Sequence, residues 1–345
     1  MIKIGNYTIN KNSAPFIIAE AGINHNGELD KAYKMITVAK NAGADAIKFQ
    51  IYKAEEFIKD PNQLYTYTSQ GRIITESMLT MFKKYEFSSE EWHLIKKKCD
   101  EDNIIFFATP QNISDLKLLL TIGIDVIKVG SDDLVNLPLL KEYSKTKLPI
   151  ILSCGMAHLS EIYEALSIVG ALDGYPVILL ICTSQYPTPP EDVNLLKLIT
   201  LKKTFPDLIF GFSDHTQNTI ASTMAIAMGA LVFEKHFTLD HALEGPDHWF
   251  SANMSELKDW IMAIKTAYDM MGDSIIRPTK KELIDRNKFH RVLVASKDIK
   301  KGDIFERHCF TMKRNTFGGI PSKFLEYLIG VKAKQDIIKG DIISL

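Results

Sequence analysis

Charged and hydroxyl side chains follow short apolar runs at several points of the chain, and their types suit an anionic ligand. Lys48 and Lys128 each lie within or directly after such a run. Ammonium and hydroxyl groups both bind phosphate and carboxylate well. Each lysine alone could form an internal ion pair, but the two together with several hydroxyls predict a cradle for a small, highly charged anion. The hydroxyl residues that follow apolar runs include Thr109, Ser131, Ser153, Thr183, Ser184 and Ser213.

Two histidines, His215 and His236, follow neighbouring apolar runs and form a candidate metal site. If those runs are adjacent strands, both imidazoles can converge on one divalent ion that keeps open positions for water and substrate. A single histidine at such a place is more often a hydrogen-bonding group than a ligand, whereas the pair favours a metal. The spacing does not choose among manganese, magnesium, cobalt and zinc.

Short apolar runs alternate with helical patterns between residues 15 and 272. The runs are mostly continuous, which is typical of parallel strands covered on both faces. Eight strand–helix units over roughly 260 residues predict an α/β fold, a (β/α)8 TIM barrel, with a doubly wound sheet as the alternative. Reactive side chains of such barrels gather at the carboxyl ends of the strands, where the polar residues fall here. The predicted strands are Phe16–Ala21, Ala46–Gln50, Ile104–Ala108, Val126–Val129, Ile150–Ser153, Ile178–Cys182, Ile209–Phe212 and Leu231–Glu234.

Local patterns also predict two helices and one long loop. Apolar residues recur at three and four positions over Leu29–Ala42, which indicates a helix. The segment Ser88–Glu91 has the pattern of a capping box and predicts the start of the helix before the third strand. The insertion Ile51–Phe87 is longer than a usual βα loop, and we interpret it as an active-site lid.

The last part of the chain differs in character and contains an internal repeat. The segment Lys297–Phe305 is echoed by Gln335–Ile343, and both carry the turn sequence Lys-Gly-Asp. Two copies of strand, turn and strand predict a small β-rich domain with internal pseudosymmetry. The predicted domains are residues 1–275 for the barrel, 276–288 for a linker and 289–345 for the small domain. So short a domain is expected to lean on the barrel or on a second subunit.

Composition and charge are those of an ordinary globular protein. The 345 residues are 46% hydrophobic and 24% charged, with a formal net charge of -1, so no global field favours nucleic acid or an anionic membrane. The cysteines Cys99, Cys154, Cys182 and Cys309 share no metal-type spacing and are predicted to be free buried thiols. We expect a cytoplasmic protein, because the sequence has neither a secretory segment nor an apolar stretch of membrane-spanning length.

Six motifs stand out in the barrel region: Ala19–Gly27, Ala42–Gln50, Cys182–Leu195, Gly211–Thr216, Glu234–Asp240 and Gly245–His248. They resemble motifs of the sialic acid synthase family, which includes the legionaminate and pseudaminate synthases. The Lys-Gly-Asp repeat resembles the antifreeze-like (SAF) domain of that family. The resemblance is ordered and runs essentially from Ile4 to Ser344.

The resemblance implies that phosphoenolpyruvate condenses with the open-chain form of N-acetylmannosamine or a related sugar. In the family a divalent metal, usually manganese, polarises the sugar aldehyde; Mg²⁺ or Co²⁺ are alternatives here. The alkene carbon of phosphoenolpyruvate attacks the aldehyde, water adds and phosphate leaves. The resemblance also implies a domain-swapped homodimer.

The family roles transfer to matching positions of this chain. His215 and His236 would hold the metal, and Glu20 and Asp133 are hypothesised to handle protons and sugar hydroxyls. Arg314 would reach the sugar site of the partner subunit. The residues expected around phosphoenolpyruvate are Lys48, Lys128, Thr109, Ser131, Ser153, Ser184 and Ser213. Those expected to face the sugar or support the metal-bound water are Glu20, Gln50, Tyr186 and Asp247.

Four departures from the family pattern fall on the sugar side or in a loop. They are Ser131-Asp132-Asp133 in place of Ser-Gly-Glu, Ser184 in place of an asparagine, Thr109-Pro-Gln-Asn112, and Arg314 followed by Asn-Thr-Phe-Gly. The resemblance as a whole implies an N-acetylneuraminate synthase, with a legionaminate or pseudaminate synthase as the alternative. A synthase for a seven- or eight-carbon keto-acid sugar and a carbohydrate- or ice-binding protein are the rival interpretations.

Overall fold

The structure is a computed structural model that describes residues 1–344, so Leu345, where the predicted small domain ends, lies outside the described residues. The chain divides into two compact units, of which the first is Met1–Gly272 and the second begins at Asp273. The segment predicted as a linker, residues 276–288, contains most of a helix, Lys280–Phe289.

The described chain alternates strands and helices over most of the first unit. Its strands are β1 (Ile2–Ile4), β2 (Tyr7–Ile9), β3 (Phe16–Gly22), β4 (Ala46–Ile51), β5 (Leu64–Ser69), β6 (Arg72–Ser77), β7 (Ile105–Pro110), β8 (Ile127–Val129), β9 (Ile150–Ser153), β10 (Val177–Ile181), β11 (Ile209–Ser213), β12 (Val232–His236), β13 (Arg291–Ala295) and β14 (Phe310–Arg314). Its α-helices are α1 (Leu29–Ala42), α2 (Ala54–Phe57), α3 (Met78–Lys83), α4 (Ser89–Glu101), α5 (Ile113–Ile122), α6 (Leu137–Lys145), α7 (Leu159–Val169), α8 (Pro190–Val193), α9 (Leu196–Thr204), α10 (Ile220–Ala227), α11 (Met254–Met271), α12 (Lys280–Phe289) and α13 (Leu325–Leu328). Short 3₁₀ helices occupy Ala171–Asp173, Arg307–Cys309 and Ser322–Phe324.

The strands β3, β4 and β7 to β12 form one parallel sheet of eight strands within the described residues. Their order is β7-β4-β3-β12-β11-β10-β9-β8, and the two end strands, β7 and β8, pack against each other so that the barrel is nearly closed. The predicted (β/α)8 barrel is therefore confirmed, and the doubly wound alternative is wrong. Every predicted barrel strand agrees with the observed one to within two residues at each end.

Alternation along the barrel strands produces two layers of different chemistry inside the barrel. Successive side chains of a strand point to opposite faces, so every second residue points inward. The inward residues near the amino ends are apolar and pack in one cluster with Ile2, Ile4 and Ile9 of the β1–β2 hairpin. The outward residues pack against the helices in the larger cluster, which includes Phe49 and Trp260. The hairpin thus closes the floor of the barrel and leaves its carboxyl end for a site.

Farther along the strands, toward their carboxyl ends, the residues that point inward are polar. In β3, Phe16 and Ile18 belong to the floor cluster and Glu20 follows two residues later; in β12, Val232 is followed in the same way by Glu234. The same step places a polar or thiol side chain inward on each strand, above the apolar floor or just beyond the strand's carboxyl end. These residues are Glu20, Lys48, Thr109, Lys128, Ser153, Cys182, Ser213 and Glu234, and each of them is buried.

The insertion between β4 and α4 is folded rather than irregular. It comprises α2, the antiparallel pair β5–β6 and α3, which we call the lid; β5, β6 and their turn are the lid hairpin. Tyr52, Met81 and Tyr85 pack with Ile23 in a small apolar cluster that roots the lid on the barrel.

The second unit has the predicted pseudosymmetry in its hydrogen bonds. Ile299 and Ile337 exchange both backbone hydrogen bonds at 2.9 Å. Gly302 N–H donates to Ala333 O, and the equivalent Gly340 N–H donates to Ala295 O, at 2.8 and 2.9 Å. Each repeat therefore completes the other, and they share one apolar core. This confirms the small β-rich domain.

Three local predictions are also confirmed. Helix α1 has the predicted bounds, Leu29–Ala42. The Ser88 hydroxyl accepts a hydrogen bond from Glu91 N–H at 3.2 Å, and the Glu91 carboxylate accepts one from Ser88 N–H at 2.7 Å, completing the capping box. All four cysteines are buried free thiols. Among the described residues, no helix combines the length and the apolar character needed to cross a membrane.

Candidate active site

A cavity of about 590 Å³ opens at the carboxyl end of the barrel and has the polar layer at its base. Its base combines two lysines, Lys48 and Lys128, with two carboxylates, Glu20 and Glu234. All four side chains are at least 95% buried. Their positions follow from the inward alternation of β4, β8, β3 and β12, so four separate strands supply four charges to one point.

The four charges form a connected network. Lys48 Nζ lies 3.0 Å from Glu20 Oε1 and 3.7 Å from Glu234 Oε2. Lys128 Nζ lies 3.7 Å from Glu234 Oε1 and donates a hydrogen bond to Ser153 Oγ at 2.7 Å. Both oxygens of Glu20 and one of Glu234 lack a partner of good hydrogen-bonding geometry despite complete burial. Buried acceptors without partners are costly, so this region is arranged for a bound group rather than for stability.

Burial and neighbouring charges shift the pKa values of the Glu20 and Glu234 carboxyls in opposite directions. Burial is the main cause that raises the pKa of Glu20 to about 7, although Lys48 opposes it. For Glu234, burial also acts to raise the pKa, but Lys128 and Lys48 outweigh it and hold the pKa below its usual value. Glu234 is thus the permanent anion, and Glu20 can hold or release a proton near neutrality. With Glu20 protonated, the two lysines exceed the carboxylates by one charge, which favours an anionic ligand.

The sequence-based site omitted Glu234, although the structure places it between the two lysines. Ser213 Oγ donates to Glu234 Oε1 at 3.0 Å, which fixes the carboxylate from the neighbouring strand. A signal was present in the sequence, because Glu234 ends an apolar run in the Glu-Lys-His motif. Of the three residues of this motif, the alternation along β12 shows that Glu234 points inward, because it lies on the same face of the strand as Val232.

Hydroxyls and a glycine line the other side of the cavity base. Ser131 Oγ accepts a hydrogen bond from Gly155 N–H at 3.0 Å and lies 3.1 Å from Cys182 Sγ. A Cβ atom at Gly155 would lie 2.5 Å from Ser184 Oγ and 2.8 Å from Ser131 Oγ. Glycine is therefore required for both hydroxyls to converge here. Thr109 completes this wall by accepting from Lys48 Nζ at 3.1 Å.

His215 is held by the loop that follows β11. Asp214 is buried and accepts hydrogen bonds from Thr216 N–H at 2.8 Å and from Trp260 Nε1 at 3.0 Å. These bonds fix the turn from which the His215 side chain points into the cavity. The ring of His215 is hydrogen-bonded through Nδ1 to Thr183 O at 2.6 Å. Because a carbonyl can only accept, Nδ1 carries the proton and Nε2 is left as an acceptor or ligand.

The two histidines of the predicted metal site do meet. The rings of His215 and His236 have centroids 5.6 Å apart, and His236 Nδ1 is buried with no hydrogen-bond partner. Asp247 Oδ2 lies 4.0 Å from that nitrogen. Burial lowers the pKa of His215 to about 4 and that of His236 well below its usual value, so both rings are neutral and able to ligate.

A divalent ion fits these donors. Two neutral imidazole nitrogens, one without any partner, face the same space beside a carboxylate, which leaves positions for water and substrate. Among the described residues, no group of three or more His, Cys, Asp or Glu side chains is arranged to hold a metal ion. The fit therefore rests on the two imidazoles, and the metal site stays a prediction.

Aromatic and acidic side chains form the outer wall of the cavity. Tyr186 packs over His215 with ring centroids 4.2 Å apart and over Phe250 at 5.2 Å. Burial raises the pKa of Asp247 to about 6. Gln50 and Ser184 also line the cavity, together with Tyr65 and Tyr67 of the lid hairpin. The predicted sugar-facing residues Glu20, Gln50, Tyr186 and Asp247 are thus brought around one space.

One predicted site residue, Asp133, lies outside the cavity wall, and another, Arg314, belongs to the second unit. Asp132 lines the cavity, whereas Asp133 turns to accept a hydrogen bond from Asn136 Nδ2 at 2.9 Å. The turn after β8 therefore brings Asp132, for which no role was predicted, to the cavity in place of Asp133. Arg314 ends β14 in the second unit, where its guanidinium lies 5.7 Å from the Phe289 ring centroid. Its reach into a partner's site stays a prediction.

His25, one of the polar residues after β3, packs within the fold and does not line the cavity. It is fully buried, stacks on Phe87 with centroids 4.4 Å apart, and accepts through Nδ1 from Gly27 N–H at 3.0 Å. Burial, with a smaller contribution from His248, lowers the pKa of His25 to about 3. The neutral ring stabilises the fold above the ordinary histidine pKa, and that stability is lost as the pH falls below it.

We expect His25→Gln to destabilise the protein at pH 8 but to do so much less at pH 5. Glutamine can accept a hydrogen bond from Gly27 N–H and does not titrate. The unsubstituted protein, in contrast, must keep the His25 ring neutral as the pH falls, and this lowers its free energy of unfolding. The difference in unfolding free energy should shrink by roughly 2 kcal/mol between pH 6.5 and pH 5. Urea unfolding at pH 8, 6.5 and 5 measures it, with exposed His93→Gln as the control. A difference that does not change with pH would show that His25 is charged in the fold.

Comparison with known proteins identifies close relatives. The NeuB family model matches residues 35–276, and the SAF domain model matches residues 290–345. The N,N'-diacetyllegionaminic acid synthase of Campylobacter jejuni is 41% identical over 92% of this chain and 96% of its own length. A pseudaminic acid synthase of the same species is 36% identical over 99% of this chain and 98% of its own. The structure of an N-acetylneuraminic acid synthetase from Leptospira borgpetersenii, 36% identical, superposes with a TM-score of 0.73 over 83% of this chain and 94% of that chain.

Proposed function

The chain belongs to the NeuB family, whose members are phosphoenolpyruvate-dependent carbon–carbon bond-forming transferases, and on this basis we propose that it is a nonulosonate synthase. It joins phosphoenolpyruvate to the open-chain aldehyde of an N-acetylmannosamine-type sugar, with N-acetylneuraminate as the product of the simplest acceptor. The observation that carries the proposal is the buried pair Lys48 and Lys128 at the base of a cavity that also contains a pair of neutral histidines.

The base of the cavity suits phosphoenolpyruvate. This substrate carries a phosphate and a carboxylate on three carbons, so it needs cations and hydroxyls at short range. Lys48 and Lys128 supply the charge, and Ser131, Ser153 and Ser184 supply donors from neighbouring strand ends. Because both lysines stand on barrel strands and are buried, they hold the anion in one orientation at little reorganisation cost.

The reaction forms one carbon–carbon bond and one carbon–oxygen bond to water, and it breaks the carbon–oxygen bond to phosphate. The methylene carbon of phosphoenolpyruvate adds to the sugar aldehyde, water adds to the cationic carbon left behind, and phosphate leaves from that carbon as the ketone forms. Of the two protons that the water loses, one balances the proton gained by the new alkoxide and the other leaves with the phosphate. Asp247 and Glu20, with pKa values of about 6 and about 7, can each hold or accept a proton near neutral pH. Glu234 remains ionised and stabilises the cationic carbon.

A divalent metal would be held by His215 and His236, with Asp247 beside them. When bound it supplies Lewis acidity to the sugar aldehyde and can lower the pKa of a water. Manganese is the ion we propose, with magnesium and cobalt as alternatives. The chain's own contribution is to keep both imidazoles neutral and oriented: Thr183 O fixes the ring of His215, and Tyr186 packs over it.

A 2,4-diacetamido-2,4,6-trideoxymannose acceptor, which would give a legionaminate product, is the second candidate and has specific support. The outer wall of the cavity contains Tyr65, Tyr67, Trp249 and Phe250, which suit a methyl and a second acetamido group better than a free hydroxymethyl group. The relative from Campylobacter jejuni that is 41% identical carries the name of an N,N'-diacetyllegionaminic acid synthase.

Phosphate release from phosphoenolpyruvate in the presence of Mn²⁺ tests the proposal. The acceptors to compare are N-acetylmannosamine, its 6-phosphate and 2,4-diacetamido-2,4,6-trideoxymannose, with mass spectrometry of the product. We expect release with one of these sugars and its loss on adding a chelator. Release only with a pentose or tetrose phosphate would overturn the nonulosonate proposal in favour of a shorter keto-acid sugar. Sugar binding without phosphate release would overturn the enzymatic proposal altogether.

A further inference from the structure

The lid hairpin has a tight turn and little support of its own. Its two-residue turn, Gln70–Gly71, has positive φ at both positions, 51° and 73°, which is the type I′ geometry that closes a hairpin. Leu64 and Ile73 are 65% and 78% exposed. A two-stranded hairpin is only marginally stable in water. Its position over the cavity must therefore depend on contacts that it makes elsewhere.

The tip of the hairpin makes such contacts with the loop between β12 and α11, residues 237–253, which we call the β12 loop. Ser69, 4% exposed and the only buried residue of β5 and β6, accepts a hydrogen bond through Oγ from Gly245 N–H at 3.0 Å. Gln70 Nε2 donates to Ala242 O at 2.8 Å. The two bonds lie at adjacent residues, so the tip is held at two points by backbone groups of the β12 loop.

The β12 loop is fixed independently of the lid. Asn24 Nδ2 donates to Phe237 O at 2.9 Å and to Ser251 Oγ at 3.0 Å, near the two ends of the loop. Asn26 Oδ1 pairs with His248 Nε2 at 2.9 Å in its middle. The loop is therefore a rigid partner, and the two bonds to Ser69 and Gln70 position the hairpin rather than the loop.

Latching the tip brings the inner side of β5 over the acceptor end of the cavity. Tyr65, Thr66, Tyr67 and Thr68 all line the cavity. The rings of Tyr65 and Tyr67 stack with centroids 5.8 Å apart. Burial, followed by the charge of Asp247, raises the pKa of Tyr65. The base of the cavity, in contrast, is built from barrel strands and receives nothing from the hairpin.

We propose that Ser69 and Gln70 are positioning residues that latch the lid hairpin onto the β12 loop, so that Tyr65 and Tyr67 complete the wall against which the acceptor sugar binds. This inference rests on the proposed function for the identity of the acceptor. The latch acts on the sugar and not on phosphoenolpyruvate, because the anion site is complete without the hairpin.

The test uses the full chain with the substitutions Ser69→Ala and Gln70→Asn, singly and together. Asparagine tolerates the positive φ of the turn but is one methylene shorter than glutamine, so it keeps the hairpin while removing the reach to Ala242 O. Thr75→Ala is the matched control, since Thr75 is exposed on the same hairpin and bonds only across it, to Thr66 Oγ1 at 2.9 Å. Two readouts are taken: steady-state kinetics for both substrates, and amide hydrogen exchange of residues 64–77 without sugar.

For the double variant we expect the acceptor KM to rise about tenfold while the phosphoenolpyruvate KM changes less than about twofold, as for the loss of two neutral hydrogen bonds. Exchange of residues 64–77 should accelerate in the double variant and not in Thr75→Ala. Unchanged exchange would overturn the latch. Faster exchange with an unchanged acceptor KM, or an equal rise of both KM values, would overturn its role in acceptor binding. If the unsubstituted protein releases no phosphate with any amino sugar, the result would count against the proposed function alone. The hydrogen-exchange measurement would still test the latch, because it needs no substrate.

Discussion

Lys128→Met is expected to lower kcat/KM for phosphoenolpyruvate by about a thousandfold or more, equivalent to about 4 kcal/mol of transition-state stabilisation. Lys128 is 2% exposed, and its Nζ atom lies 2.7 Å from Ser153 Oγ and 3.7 Å from Glu234 Oε1. Methionine fills a similar volume but removes both the cation that faces the substrate and a partner of a buried carboxylate. Such a loss typically costs about 3–5 kcal/mol of stability as well.

A second substitution separates the two effects. In the double variant Lys128→Met/Glu234→Gln, the charge balance of the cavity base is restored, so the denaturation midpoint should recover toward that of the native protein. Activity should not recover, because the cation needed by phosphoenolpyruvate is still absent. The measurements are steady-state kinetics and urea unfolding, with Lys97→Met, whose side chain is 72% exposed, as the control. Recovery of activity in the double variant would show that Lys128 only balances Glu234.

His215→Ala and His236→Ala are each expected to abolish tight binding of Mn²⁺ and to reduce product formation by about a thousandfold or more. His236 Nδ1 has no partner in the fold, and His215 Nε2 lies 3.3 Å from Ser213 Oγ, whose hydrogen is donated to Glu234. Neither nitrogen is needed to hold the fold, so their orientation toward one space is explained by a ligand.

Titration of the chelator-treated full chain with Mn²⁺ by calorimetry measures the first effect without reference to activity. Phosphate release with phosphoenolpyruvate and an amino sugar measures the second. His93→Ala is the control, because His93 lies exposed on α4. Metal binding as tight as in the native protein, in either variant, would contradict the proposed metal site, and inactive variants would then have to be explained by lost packing against Tyr186.

The residue pattern alone predicted the barrel, because its strands are continuous apolar runs that each end in a polar group. It also predicted which residues meet: Lys48, Lys128 and the two histidines are far apart in the chain, yet all follow strands whose carboxyl ends converge. The repeat near the C-terminus predicted a pseudosymmetric domain, and the reciprocal hydrogen bonds of Ile299 and Ile337 agree with it. These features are determined by periodicity, which the sequence carries directly.

Other features were decided only by the tertiary structure. Glu234 takes its role from its position between two lysines of other strands, and its ionisation depends on their distance rather than on its own neighbours in the chain. The presence of Asp132 rather than Asp133 at the cavity depends on the turn after β8, in which Asn136 holds the Asp133 carboxylate. The latch of the lid joins Ser69 to Gly245, which are 176 positions apart. Such contacts arise from the close approach of remote loops, for which no local pattern of residue types exists.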